Sequence, residues 1–188
     1  EIFYPFSTSP TFLRKNLNTN LPDAERTIDR LQNLCVVKNK ELVAFISLAF
    51  GDPYGDPWNT DLVNEWTEKL VSKGIKRIPL ADTIGNVSPD LIEKVCKAVI
   101  PNFQGIEFGL HTHALPGKGM KKIDAAWRSG IRRFDTVING LGGCPMTDKE
   151  MVGNLDLEIL LGYCDKNSIE TGINNSHLLT ASKYKLTF

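Results

Sequence analysis

The stretch Leu42-Val43-Ala44-Phe45-Ile46-Ser47-Leu48-Ala49-Phe50 is apolar throughout except at Ser47. A surface strand would alternate apolar and polar residues, so an unbroken run of this length points to a parallel strand covered on both faces. Shorter or less pure runs of the same kind occupy residues 2–6, 75–81, 105–113 and 131–138. Between them lie helical patterns. Leu62, Val63, Trp66, Leu70 and Val71 fall on one helical face, with Gly74 as its stop signal. Ser88-Pro89-Asp90 has the form of a helix start, and Leu91, Ile92, Val95 and Val99 follow as its apolar stripe. Ala24, Ile28, Leu31 and Cys35 form a third stripe. Strands alternating with helices in this way predict α/β architecture with a parallel sheet.

The chain has 188 residues, 22 Lys+Arg against 22 Asp+Glu, 41% hydrophobic and 23% charged. This balance excludes a disordered tail or a coiled rod and is that of one globular domain, residues 1–188. Zero net charge removes the electrostatic footprint of nucleic-acid binding. No apolar run reaches the roughly 18 residues of a membrane span. The opening residues, Glu1-Ile2-Phe3-Tyr4-Pro5, hold no basic stretch leading into an apolar core. A soluble, cytoplasmic protein acting on a small molecule is therefore expected, with no nucleic-acid or membrane partner. Cys35, Cys96, Cys144 and Cys164 show no Cys-x-x-Cys spacing, so neither a disulfide scaffold nor a structural zinc site is expected. Five strand-helix units fall short of a closed eight-unit barrel, which seldom takes fewer than about 200 residues. An open five-stranded sheet and part of a barrel both fit the composition.

Chemistry-bearing residues cluster where the strand runs end. In Gly109-Leu110-His111-Thr112-His113 the two histidines are two positions apart, so on a strand both imidazoles project to one side at its C-terminal end, the active rim of α/β folds. Two neutral imidazoles make half of a divalent-metal site; a pair of hydrogen-bonded strand-end histidines has the same spacing. His177 reads as surface or structural. Asp82, in Ala81-Asp82-Thr83-Ile84-Gly85, puts a carboxylate at the end of the third run, suited to acid/base work or to an ordinary turn. Asn139-Gly140-Leu141-Gly142-Gly143-Cys144-Pro145 surrounds a thiol with glycines, as a movable loop over a site would. Asn154 stands before a helix start, where asparagine also serves as a cap, and Glu158 follows in that helix. The loop Gly51-Asp52-Pro53-Tyr54-Gly55-Asp56-Pro57 follows a strand and so lies on the functional side.

Taken in order, residues 9–16, 48–54, 82–85, 111–113, 140–145, 153–154 and 171–174 resemble the hydroxymethylglutaryl-CoA lyases of the DRE-TIM metallolyase superfamily. Asp-Thr-Ile-Gly and His-x-His are shared across that superfamily, and Gly-Gly-Cys-Pro singles out the lyases. The resemblance implies a (β/α)₈ TIM barrel of which this chain carries strands four to eight, its first three units having no counterpart here. It further implies a divalent metal, Mg²⁺ or Mn²⁺, held by His111, His113 and Asn154. Asp82 would be a catalytic acid/base alongside His111, Cys144 the thiol of the mobile loop, and Glu158 a supporting acid. The implied reaction is retro-Claisen cleavage of 3-hydroxy-3-methylglutaryl-CoA to acetoacetate and acetyl-CoA, so the partner would be an acyl-CoA, with a homodimer as the assembly. Rival readings are a 4-hydroxy-2-oxovalerate aldolase-like or isopropylmalate synthase-like enzyme, or a non-catalytic α/β fragment whose histidines are structural. Taken by itself the segment is expected to be inactive, lacking part of its site.

Overall fold

The structure, a computed structural model, describes residues 1–114, 117–143 and 152–183. Five strands, β1 (Ile2–Ser7), β2 (Leu42–Ser47), β3 (Arg77–Asp82), β4 (Glu107–Thr112) and β5 (Arg133–Asp135), form one sheet. Every neighbouring pair is parallel and the spatial order is the chain order. The intervening helices are α1 (Pro10–Leu17), α2 (Leu21–Val37), α3 (Thr60–Ser72), α4 (Pro89–Val99) and α5 (Gly119–Arg128), followed by α6 (Leu157–Lys166) and α7 (Asn175–Ser182). A doubly wound sheet reverses its strand order at a switch point, whereas a barrel never does. This sheet never reverses.

Curvature confirms the difference. In a flat sheet β1 and β5 would lie about 19 Å apart, four strand spacings. Yet the Arg133 guanidinium on β5 donates to both carboxylate oxygens of Glu1, just before β1, at 2.7 and 2.9 Å. The strand starts are therefore curled toward one another. Glu1, Glu41, Arg77, Glu107 and Arg133 join in one ion-pair network across this lower mouth. Hydrogen bonding from Arg133 holds the Glu1 carboxyl down to about 2.

The helices pack on the convex side, where Ala44, Ile46, Ile78, Leu80, Phe108 and Leu110 join their stripes in the main core. As expected from the sequence, Ser88 caps α4 by accepting from the Leu91 N–H, with Pro89 in the first turn. Its buried stripe is Ile92, Val95, Cys96 and Val99, Leu91 being only partly covered. The apolar run at 42–50 overshoots its strand, because Leu48 adopts a φ of 61° and begins a turn while Leu48, Ala49 and Phe50 stay buried. Apolarity reports burial here, and burial continues past the last strand residue. Cys35, Cys96 and Cys164 are buried free thiols, and burial pushes Cys96 up to about 12. Among the described residues no helix is long and apolar enough to cross a membrane.

Candidate active site

The concave face carries the alternate residues of each strand, and at the C-terminal rim these line a cavity of about 390 Å³. Phe3, Pro5, Phe12 and Phe45 make its apolar wall, while Ser47, Thr83, His111, His113 and Asn154 supply polar groups. His111 is in β4 and His113 one residue beyond it, so strand parity puts both rings on this face. Their centroids are 5.3 Å apart with planes at 82°.

Residues 153–155 fold over the rim and hold His113 in place. Ala114 donates to the Gly153 carbonyl, Leu155 donates to the Thr112 carbonyl, and His113 bridges Asn154. Gly85, with φ of +78°, fits beneath the ring: a Cβ there would meet the His113 Cβ at 2.8 Å and Val152 Cγ1 at 2.9 Å. His113 is 4% exposed. Burial, reinforced by the neighbouring His111, pushes its pKa down, so it is held neutral. Its Nδ1 is buried and has no hydrogen-bond partner among the described residues. A buried polar atom without a partner is costly unless something outside the described residues engages it, and an unprotonated imidazole nitrogen of a residue lining a cavity is a candidate metal-ligand atom. The Asn154 amide nitrogen donates to the Leu141 carbonyl at 2.7 Å, which fixes the amide and leaves its oxygen to accept or ligate. Asn154 is not a helix cap; Asp156 caps α6. These donors, two imidazoles and an amide oxygen, fit part of a divalent-metal coordination sphere. Among the described residues no group of three or more His, Cys, Asp or Glu side chains is placed to complete one.

Two placements correct the reading of the sequence. Asp82 ends β3 opposite Thr112, not opposite His111, and so faces the helices rather than the cavity. It is 3% exposed and its oxygens are taken: Oδ1 accepts from the Gly85 N–H at 2.9 Å, and Oδ2 from Thr112 Oγ1 at 2.9 Å and Lys122 Nζ at 2.6 Å. A carboxylate so engaged has no line to a substrate. Glu158 is exposed in the first turn of α6 and does not line the cavity, because the helix starts at Leu157 and turns that side chain outward. Cys144 lies outside the described residues. His177 is exposed on α7.

Two residues passed over in the sequence stand next to the histidines. Asp135 Oδ2 lies 3.2 Å from His111 Nδ1. Lys122, 3% exposed, donates to the Gly85 and His113 carbonyls at 2.8 Å each, besides its bond to Asp82. The functional-side loop at 51–57 is pinned to the start of α1, where the Asp56 carboxylate accepts from Ser9 Oγ at 2.6 Å and the Thr11 N–H at 2.8 Å.

Known proteins resemble this chain over nearly its whole length. Hydroxymethylglutaryl-CoA lyase YngG of Bacillus subtilis (strain 168) is 30% identical over 178 residues, 95% of this chain and 59% of that protein. The (R)-citramalyl-CoA lyase of Chloroflexus aurantiacus is 33% identical over 139 residues, 74% of this chain and 44% of that protein. The structure of an HMG-CoA lyase from Acinetobacter baumannii, in complex with coenzyme A and 3-methylmalate, superposes with a TM-score of 0.86 at 27% identity, covering 96% of this chain and 58% of that one. This chain thus spans less than two thirds of the relatives it matches, which agrees with a partial barrel. The HMGL-like family model matches residues 1–184. The chain belongs to the HMGL-like family, and its five strand-helix units are a portion of that family's barrel.

Proposed function

We propose that the protein containing these residues is a divalent-metal-dependent carbon–carbon lyase that cleaves 3-hydroxy-3-methylglutaryl-CoA to acetoacetate and acetyl-CoA. The observation that carries this reading is the convergence of His111, His113 and Asn154 on one apolar-walled cavity, with His113 Nδ1 buried and without a partner among the described residues. The similarity to hydroxymethylglutaryl-CoA lyases supports the substrate class.

His111, His113 and Asn154 would hold Mg²⁺ or Mn²⁺. When bound, the ion supplies Lewis acidity to the tertiary hydroxyl and a carboxylate of the acyl group. The chain's own groups do the rest. Phe12, buried, and Phe45, partly buried, would give the acyl chain an apolar wall, which strengthens the electrostatic contacts made beside it. The Ser47 and Thr83 hydroxyls border the same space and can bond to substrate oxygens. In the reaction the hydroxyl proton leaves, the bond to the acetyl-CoA carbon breaks, and that carbon takes up a proton. The pairing with Lys122 takes Asp82 out of contention for either proton transfer. His111, on the cavity wall, remains available for the hydroxyl proton, and Cys144, outside the described residues, is a candidate donor to the acetyl-CoA carbon. Residues 1–188 would then form the C-terminal part of one barrel domain.

A second reading is cleavage of citramalyl-CoA to pyruvate and acetyl-CoA, favoured by the citramalyl-CoA lyase relative and by the five-carbon 3-methylmalate bound to the Acinetobacter enzyme. Product analysis with the full chain separates them. A higher kcat/KM for acetoacetate release supports the first reading, and pyruvate from citramalyl-CoA with no acetoacetate from the other substrate supports the second.

A further inference from the structure

The two histidines are held by different means. His113 is locked by burial, by the backbone of residues 153–155 and by the close approach of Gly85. The His111 side chain is 31% exposed, and among the described residues its ring meets two other rings, Phe45, edge-on at 5.4 Å between centroids, and His113. Packing alone leaves such a ring free to turn about χ2 and to exchange its two nitrogens.

Asp135 removes that freedom. In the parallel register of β4 and β5 it stands directly opposite His111, so both side chains leave the sheet on the concave face. Its Oδ2 is 3.2 Å from His111 Nδ1. Its other oxygen is 4.0 Å from Arg133 Nε, while the ends of that guanidinium are engaged by Glu1 and Glu107, so Arg133 does not draw the carboxylate away. An ionised carboxylate only accepts, so the hydrogen between the two must sit on Nδ1. The lone pair is then on Nε2, at the opposite corner of the ring.

We propose that Asp135 is a positioning residue for His111: it fixes the tautomer and the ring orientation so that His111 offers Nε2 to the ion while His113 offers Nδ1. The proposal rests on the metal reading above. A carboxylate behind a ligating imidazole both orients it and raises its basicity, and its loss commonly weakens metal binding 10- to 100-fold.

Two measurements on the full chain test it. In ¹⁵N-histidine NMR spectra of the metal-free protein, His111 should carry its proton on Nδ1, and in Asp135→Ala the two tautomers should mix. In a Mn²⁺ titration followed by electron paramagnetic resonance, Asp135→Ala should bind about 10- to 100-fold more weakly than wild type, with Asp135→Asn, which keeps an acceptor oxygen, recovering most of the loss. An unshifted melting temperature without metal would separate positioning from a structural defect; should Asp135→Ala not fold, the wild-type tautomer and Asp135→Asn decide. A wild type that binds Mn²⁺, paired with a variant that binds it equally well, overturns the role of Asp135 and leaves the metal site standing. A wild type that binds no Mn²⁺ overturns the metal reading, and an Nε2–H tautomer at His111 overturns the positioning role whatever the ion does.

Discussion

Lys122 Nζ lies 2.6 Å from Asp82 Oδ2, with the two side chains 4% and 3% exposed, and the same ammonium bonds to the carbonyls of Gly85 and His113. The ion pair thus ties α5 to the ends of β3 and β4 directly beneath the candidate ligand His113. It contributes rigidity at the rim rather than a reacting group.

Lys122→Met leaves Asp82 buried and unpaired, and should destabilise the protein by about 3–5 kcal/mol. Replacing both partners, Lys122→Met with Asp82→Asn, should cost much less, since a neutral buried pair carries no uncompensated charge. Denaturant melts of the two variants check this. A single variant as stable as wild type would show that the pair is not buried in solution.

Gly85→Ala should impair the site as well as the fold. The position has φ of +78°, and the new Cβ would press on His113 Cβ and Val152. A loss of about 1–3 kcal/mol is expected from the left-handed backbone and the overpacking together. Mn²⁺ affinity should drop with it. A stable variant with unchanged affinity would mean that His113 is not set by this contact.

The Asp56 carboxyl is held below its usual range, chiefly by the Ser9 hydroxyl and then by the Thr11 N–H and hydroxyl. Its folded pKa is below its unfolded one, so its contribution to stability is complete above the ordinary aspartate value near 3.8 and is lost as pH falls through and below it. Asp56→Asn should flatten the stability profile in that acid window and leave its shape near neutrality unchanged. Urea melts from pH 2.5 to 7 measure this, and parallel profiles would refute it.

Much of the architecture was legible because parallel strands buried on both faces leave unbroken apolar runs, and the helix at residue 89 announced itself with Ser88 and Pro89. The shared face of His111 and His113 followed from strand parity alone. Asp82 ends its strand on the expected rim and serves the turn at Gly85, but which face it takes depends on register with Thr112 and on Lys122, 40 residues away in sequence, and neither leaves a local mark. Asp135 left a faint signal, a carboxylate inside the otherwise apolar stretch at the end of the run at 131–138. Its pairing with His111 across β4 and β5 needed the register. The curl of the sheet left no local mark either, since Glu1 and Arg133 are 132 residues apart, and it was implied by the family resemblance alone.

In the proposed function His111, His113 and Asn154 hold a divalent ion that is needed for carbon–carbon cleavage. This is tested most directly by following acetyl-CoA and acetoacetate from 3-hydroxy-3-methylglutaryl-CoA with the full chain, first stripped by chelator and then titrated with Mg²⁺ or Mn²⁺. No turnover is expected in the stripped protein, with equal amounts of both products on adding metal and a loss of at least about 10²-fold in His113→Ala. Turnover unchanged by the chelator, or by the loss of His113, would contradict the proposed function.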